Sequence, residues 1–472
     1  MEDFSRYKRK SLIITGLGTF MGTLDASIIN VSLPTISRDL GTTISMVGWV
    51  ILSYSIAVFS LLMLFGALSE KKGFYFSYKY GYLIFLLGSV LCGLSINIYM
   101  LIISRVIQGV GAALLISIGP ALITRSFPAS ERGRGLSVIS MLVYAGLMLG
   151  PPMGGFLIAL GGWRWIFFVN VPVSILGVYF TIRYIRNIPA IEPGKKIGAP
   201  GSISLSLGLL ALMFALLMFS RGILDTTYSS GILLFSIILF GFFFYFENNP
   251  KTQLIGVSIF KNRHFIFAGG AMLLIFIALI AVTILMPFYL EQVKMYRPEQ
   301  VGLFLMITPV CGFFLAPAAG YLSDKFRASL IATLGAAIMI IGYYFIRQLN
   351  AQTSLTGIIL PLVLIGTGMA IFSTPNTSSI MGSVTKYQLG SASGILATLR
   401  TLGITLGAGF AIGIFSYYKK MYIQDGMAEA KAFIKAYNSV YDITIFVLLL
   451  AVLFSLVRGN TKKSKPAWNH KS

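Results

Sequence analysis

The sequence predicts an all-α polytopic membrane protein: fourteen transmembrane helices, arranged as two six-helix halves plus two extra helices, with both termini cytoplasmic. Three observations lead there. Of 472 residues, 56% are hydrophobic and 11% charged, with mean hydropathy +0.83, whereas a soluble chain carries about 25% charged residues. Apolar runs of about 20 residues, the length that crosses a bilayer, recur from end to end. Three short motifs also return in the same order at nearly one offset.

The apolar runs fall at 11–33, 46–68, 79–97, 99–123, 135–158, 165–185, 201–220, 230–247, 264–288, 301–322, 329–347, 355–382, 390–416 and 438–458. The first follows "RYKRK" and mimics a signal peptide. It extends to about residue 33 with no small-residue cleavage site, so it reads as a retained span. Basic residues set the orientation. With the N-terminus inside, 25 of the 37 Lys and Arg fall in inner segments and 10 in outer loops, and Arg105 and Arg400 lie within spans. The net charge of +22 is therefore a positive-inside signature, and no nucleic-acid partner is expected. One outer loop, 417–437, is discordant: its four lysines are diluted by Asp425 and Glu429, and its "AEAKAFIKAY" reads as a short surface helix.

The motif "GALSEKKG" at 66–73 returns as "GYLSDKFR" at 320–327, "GVGAAL" at 109–114 as "GTGMAI" at 366–371, and "GLMLG" at 146–150 as "GITLG" at 403–407. Offsets of 254, 257 and 257 residues argue for a duplicated chain. The expected organisation is an N-terminal six-helix bundle at 1–186, a cytoplasmic linker at 187–200, two additional helices at 201–247, a C-terminal bundle at 264–458 and a basic tail at 459–472. Two alike halves with a site between them is a transporter plan. No soluble domain exceeds loop size and no GxxxxGK[ST] phosphate loop occurs, so driving energy is expected from an ion gradient or from the substrate's own gradient. Cys92 and Cys311 form no disulfide framework. His264 and His470 are too few for a metal site, and none is expected.

Among the acids, Asp442, Glu247 and Glu291 sit at span edges, and only Asp25 lies well inside a span. It is about eight residues from the outer end of the first helix, or ~12 Å deep, and Arg105 on the fourth helix is ~9 Å deep. A charge near mid-membrane costs ~2.5–3.5 kcal/mol on insertion scales, which pairing offsets in part. Asp25 is thus a candidate proton carrier, and a fixed structural ion pair is the alternative. Arg400, deep in the thirteenth helix, has no evident acidic partner; it either bonds backbone carbonyls or meets a polar or anionic substrate group.

In "GLMLGPPMGG" (146–155), Gly146, Gly150 and Gly154 share one helix face and allow close helix approach. Pro151 and Pro152 break the hydrogen-bond ladder locally, and Gly155 completes the motif. The motif reads as tight packing, to which the double proline adds a hinge or seal. "GALSEKKG" places Gly66, Glu70, Lys71 and Gly73 in a charged inner turn. Its repeat brings Asp324 and Lys325, which lifts a gating role above an ordinary solvated turn. Asn30, Tyr54, Gln108, Tyr144 and Arg400 are candidates to line a substrate cavity, and each polar one is otherwise a helix-contact residue.

These motifs together resemble the major facilitator superfamily, and within it the fourteen-helix drug:proton antiporter branch. "LDASIINVSLP" (24–34) is similar to the branch's first-helix signature L-D-x-T-x-V-N-V-A-L-P, departing at Ser27 and Ile29. "GALSEKKG" resembles the loop motif G-x-L-A-D-[RK]-x-G-R-[RK], departing at Glu70, Phe74 and Tyr75. "RVIQGVGAA" (105–113) matches R-x-x-Q-G-x-G-A-A, "GLMLGPPMGG" the antiporter motif of helix five, and "WRWIFFVNVPV" (163–173) the start of the sixth helix. The resemblance implies a major facilitator fold, proton coupling through Asp25 and Arg105, and export marked by the helix-five motif. It further implies multidrug efflux of amphipathic drugs, dyes or antibiotics by alternating access, hence antibiotic resistance. Protons are the expected coupling ion, with no other cofactor. A single deep carboxylate suits monovalent cations, neutral lipophiles or zwitterions better than multivalent cations, and Arg400 leaves anions open. The alternative on the same fold is uptake of a small nutrient. A membrane-embedded enzyme would need a cluster of His, Asp or Glu at one depth, and the sequence lacks one; a passive channel would show no proton–substrate counterflow. The chain is expected to act as a monomer in the cytoplasmic membrane of a prokaryote, with a small-molecule substrate, protons and lipid as its partners.

Overall fold

The computed structural model describes residues 2–42, 44–185, 198–220, 226–248, 255 and 257–457. Of the expected linker at 187–200, residues 187–197 lie outside the described residues, as does the tail at 459–472. The described residues hold sixteen α-helical segments and no strand. They are α1 (Glu2–Asp39), α2 (Ile44–Lys72), α3 (Phe74–Gly93), α4 (Ile98–Ile116), α5 (Gly119–Ser126), α6 (Arg132–Gly161), α7 (Trp165–Phe168), α8 (Asn170–Tyr184), α9 (Ala199–Ser220), α10 (Thr226–Glu247), α11 (Arg263–Phe288), α12 (Pro298–Lys325), α13 (Ala328–Arg347), α14 (Leu355–Ser383), α15 (Leu389–Gln424) and α16 (Glu429–Val457).

Two pairs are single spans interrupted once: α4 and α5 are separated at Ser117 and Ile118, α7 and α8 at Val169. Thirteen helical runs among the described residues are long and apolar enough to cross a membrane. The predicted span at 79–97 corresponds to the 20-residue α3, whose first half, "FYFSYKYGY", holds tyrosines where the other spans hold aliphatics. Two of these tyrosines bond to α1: the Tyr82 hydroxyl donates to the Ile14 carbonyl at 2.7 Å, and the Tyr78 hydroxyl lies 2.9 Å from Thr15 Oγ1. A buried tyrosine needs such a partner.

The outer loop expected at 417–437 is not a loop. Helix α15 runs to Gln424 and α16 begins at Glu429, with Gly426 at φ +82° in the turn. "AEAKAFIKAY" therefore belongs to the first turns of a 29-residue helix, with Lys419 paired to Glu429 at 2.8 Å. The tight turn lets both helices continue past the apolar span.

The chain forms two compact units. The first comprises Met1–Met213, Leu234–Ile259 and Val384–Thr398; the second comprises Phe214–Leu233, Phe260–Ser383 and Leu399–Ser472. Within the first, α1 packs on α6, α5 and α8, α3 on α4 and α8, and α2 on α4. Within the second, α11 packs on α16 and α14, α13 on α14 and α16, and α12 on α14. The duplicated motifs make duplicated contacts. A side chain at Gly109 would meet the Tyr54 carbonyl of α2, and one at Gly111 the Phe85 backbone of α3. Their counterparts Gly366 and Gly368 close in the same way on Thr308 of α12 and Gly335 of α13.

Candidate functional site

Asp25 and Arg105 meet inside the first unit. Their side chains are 1% and 0% exposed, and Arg105 Nη1 donates to Asp25 Oδ2 at 2.7 Å. The same Nη1 donates to Gln108 Oε1 at 2.6 Å, and Nε donates to the Val50 carbonyl at 3.1 Å. The guanidinium stacks over the Tyr54 ring, 4.1 Å from its centroid. On the other carboxylate oxygen, Asp25 Oδ1 accepts from Gln108 Nε2 at 3.0 Å and from Asn170 Nδ2 at 2.9 Å. Gln108 Nε2 also donates to Ser89 Oγ at 2.8 Å.

Local sequence explains how these groups converge. Arg105 and Gln108 are three residues apart and so share one face of α4. Asn170 opens α8 at the break in the sixth span. Bonds between a charged partner and a donor are about twice as strong as neutral ones, and three of them converge on the Asp25 carboxylate. The pair is still expensive to bury, because removing two charges from water costs several kcal/mol per ion even after relaxation.

The helix-five glycines hold α1 just beside this network. A Cβ at Gly146 would sit 2.9 Å from the Leu24 nitrogen, and one at Gly154 would sit 3.1 Å from the Ile28 carbonyl. Gly150 abuts Ser27, whose hydroxyl donates to the Leu147 carbonyl at 3.2 Å. The seam thus runs past residues 23–28 of α1, spanning Asp25. Pro151, Pro152 and Gly155 are exposed and lie off it, and a Cβ at Gly155 would meet nothing within 4 Å. The helix continues unbroken through both prolines.

The segment 66–73 is a helix end rather than a solvated turn. Helix α2 continues to Lys72, and only Gly73, at φ +88°, turns the chain. Glu70 and Lys71 are 3% and 6% exposed. The Glu70 carboxylate accepts from the Ser391 backbone N–H at 2.8 Å and from its hydroxyl at 3.1 Å, at the first turn of α15. Gly66 permits this approach: a Cβ there would lie 2.8 Å from Gly394 Cα. The second copy is built differently, with Asp324 half-buried and Lys325 exposed over the Tyr321 ring at 4.5 Å.

Among the residues expected to line a cavity, Gln108 and Tyr54 are buried in the ion-pair network, and Tyr144 is buried on α6. Asn30 is exposed, with one long bond to the Ala26 carbonyl at 3.5 Å. Arg400 is half-buried in the second unit, 5.4 Å from the Phe276 ring centroid. Ser89 and Asn170 carried no signal as single residues. Asn170 does fall within "WRWIFFVNVPV", the one motif to which the sequence assigned no task.

A duplicated chain of membrane-length helices, with an ion pair enclosed in its first unit, has the plan of a membrane transporter. The family model of the Major Facilitator Superfamily matches residues 15–408, and the chain belongs to that superfamily. It is accordingly a multi-pass transporter and not an enzyme. It is 33% identical to the riboflavin transporter RibZ of Clostridioides difficile over 94% of this chain and 96% of that protein. It is 28% identical to the multidrug resistance protein Stp of Mycobacterium tuberculosis over 85% of this chain and 75% of that protein. The crystal structure of the human organic anion transporter MFSD10 shares the fold, with a TM-score of 0.64 at 16% identity, covering 93% of this chain and 99% of that one.

Proposed function

We propose that the chain is a proton-coupled exporter of amphipathic small molecules, such as drugs, dyes or antibiotics, working by alternating access in the cytoplasmic membrane of a prokaryote. The observation that carries this reading is the Asp25–Arg105 pair, fully enclosed at 2.7 Å within the first unit. A buried pair is weak evidence for stability, since apolar replacements are often as stable. A lone intramembrane carboxylate is by default a functional group, and protons are the coupling ion it suits. The glycine seam beside Asp25 and the likeness to Stp support the direction of transport. The protein acts as a monomer on this reading, with no cofactor besides the proton.

The test is a toxicity screen in an efflux-deficient host, comparing the wild type with Asp25→Asn. Wild-type expression is expected to confer resistance to at least one lipophilic compound, and the variant to lose it. Resistance that survives the substitution would sink the coupling role.

A second reading is uptake of a small nutrient, and the likeness to RibZ over nearly the whole of both chains favours riboflavin or a similar flavin. Rescue of a riboflavin auxotroph at limiting riboflavin, without any gain in drug resistance, selects this reading. Proton release from energised vesicles on adding substrate marks exchange, and proton uptake by de-energised vesicles marks symport.

A further inference from the structure

Every partner of Asp25 is a donor. Arg105 Nη1 faces Oδ2, while Gln108 Nε2 and Asn170 Nδ2 face Oδ1. This shell fits a carboxylate, which only accepts, but it offers nothing to the O–H of a carboxylic acid, which must also donate. A carboxylate that takes up and releases protons needs a neighbour able to serve both forms.

Arg105 cannot do so, because a guanidinium has no acceptor. Gln108 is committed at both ends: its Nε2 donates to Asp25 and Ser89, and its Oε1 accepts from Arg105 and from the Cys92 thiol. Turning its amide would set Nε2 against the Arg105 guanidinium, donor against donor, and lose that 2.6 Å bond. Asn170 differs. It is 1% exposed, and its side chain makes one hydrogen bond among the described residues, the one to Asp25. A carboxamide is nearly unchanged in shape by a half-turn about its last torsion, which exchanges its N–H₂ for its carbonyl oxygen.

We propose that Asn170 is a positioning residue matched to both protonation states of Asp25, donating through Nδ2 to the carboxylate and, after a half-turn of its amide, accepting the O–H of the acid on Oδ1. This rests on the proton-coupled reading above. The proton arrives on a hydronium ion; an O–H bond forms on Asp25 Oδ1 and a water molecule is left behind. No bond to Asn170 changes. Oδ1 is the receiving atom because Oδ2 faces only the guanidinium. The charged and titratable groups that act on Asp25 are Arg105 from α4, Tyr54 from α2 and Cys92 from α3; α8 presents the neutral Asn170. The proposal also gives a task to the sixth-span motif, whose helix break at Val169 sets Asn170 at the head of α8.

Infrared difference spectroscopy on the full-length protein in lipid nanodiscs, with the pH jumped from alkaline to acid, tests this. The carbonyl stretch of protonated Asp25 is the band absent from Asp25→Asn. In Asn170→Leu, which keeps the size and removes both hydrogen-bonding functions, that band is expected to shift to the higher frequency of an acid with no acceptor for its O–H. In Asn170→Ser, whose hydroxyl both donates and accepts, it is expected to stay near its wild-type position. A band in the same place in Asn170→Leu as in the wild type overturns the inference and leaves the proton-coupled reading standing. An Asp25 band missing from the wild type at every pH where the protein stays folded overturns both. If Asn170→Leu does not fold, wild-type protein carrying ¹³C-labelled asparagine decides. Its Asn170 amide carbonyl band, identified by its loss in Asn170→Ser, is expected to drop in frequency on acidification, and a pH-invariant band overturns the inference.

Discussion

The contact between Glu70 and the start of α15 lends itself to a quantitative test. Glu70 is 3% exposed and its carboxylate accepts both the backbone N–H and the hydroxyl of Ser391. Replacing it with Gln keeps an acceptor oxygen but removes the charge. Hydrogen bonds to charged groups contribute ~1.5–3 kcal/mol and neutral ones ~0.5–1.5. A charge at a helix N-terminus adds ~0.3–1 kcal/mol, up to about 2 when partly buried. Glu70→Gln is therefore expected to cost ~1–3 kcal/mol. Glu70→Ala leaves two buried donors unsatisfied at ~1–3 kcal/mol each, so about 2–6 in all. Ser391→Ala removes only the hydroxyl, so the double variant Glu70→Gln/Ser391→Ala should be less destabilised than the sum of its parts. The assay is denaturant unfolding of purified protein in micelles, followed by tryptophan fluorescence, with Lys72→Gln as a control on the same helix end. Additivity of the two substitutions within ~0.5 kcal/mol, the behaviour of independent sites, would refute the cap. So would a Glu70→Gln variant as stable as the control.

Three further outcomes are expected. Arg105→Leu leaves Asp25 buried without its cation and should destabilise by ~3–5 kcal/mol; adding Asp25→Asn should recover part of that, both read from the same unfolding curves. Gly150→Ala drives a methyl into Ser27 and should cost ~1–3 kcal/mol by overpacking, whereas Gly155→Ala, with nothing within 4 Å, should stay within ~0.5 kcal/mol of wild type. Tyr343→Phe deletes the 2.6 Å bond to the Ala278 carbonyl that ties α13 to α11, and a loss of ~0.5–1.5 kcal/mol is expected.

Much of this architecture was legible because a membrane span announces itself by length and apolarity, and a duplication by its offset. Asp25 and Arg105 stood out as charges where charges are costly, and their similar depths suggested the pair before any contact was known. Helix ends were harder to read. The sequence reads 66–73 as a charged inner turn with a gating role, yet Glu70 and Lys71 lie in a helix whose end stays enclosed because the start of α15 packs on it. The lysines of 417–437 misled in the same way, since helices that run past the bilayer carry charge without becoming loops. Asn170 and Ser89 were illegible for another reason. A neutral amide or hydroxyl in a span carries no energetic flag of its own, and its task exists only once α1, α3, α4 and α8 come together.

The position of Asp25 around α1 constrains how a proton there can act. At 3.6 residues per turn, Asn30 lies about 140° from Asp25 around the helix, and Ala26 and Pro34 lie about 100° and 180° away. With Val31, about 120° away in the opposite sense, these residues make up the exposed stripe of α1 through this stretch, while Asp25 is 1% exposed. A molecule meeting that stripe would not touch the carboxylate. On the proposed reading, neutralising Asp25 therefore acts on substrate through α1 as a body, by releasing the hold of Arg105, Gln108 and Asn170 on one side of the helix. The opposing hold is the glycine seam of α6, where Gly146, Gly150 and Gly154 grip residues 23–28 backbone to backbone. An aligned seam of that kind tolerates sliding or rotation better than interlocked large side chains would, because little side-chain packing has to be remade. On that proposed reading the seam and the carboxylate form one device: the polar network would set which position of α1 is preferred, and the glycines would keep the alternative position accessible.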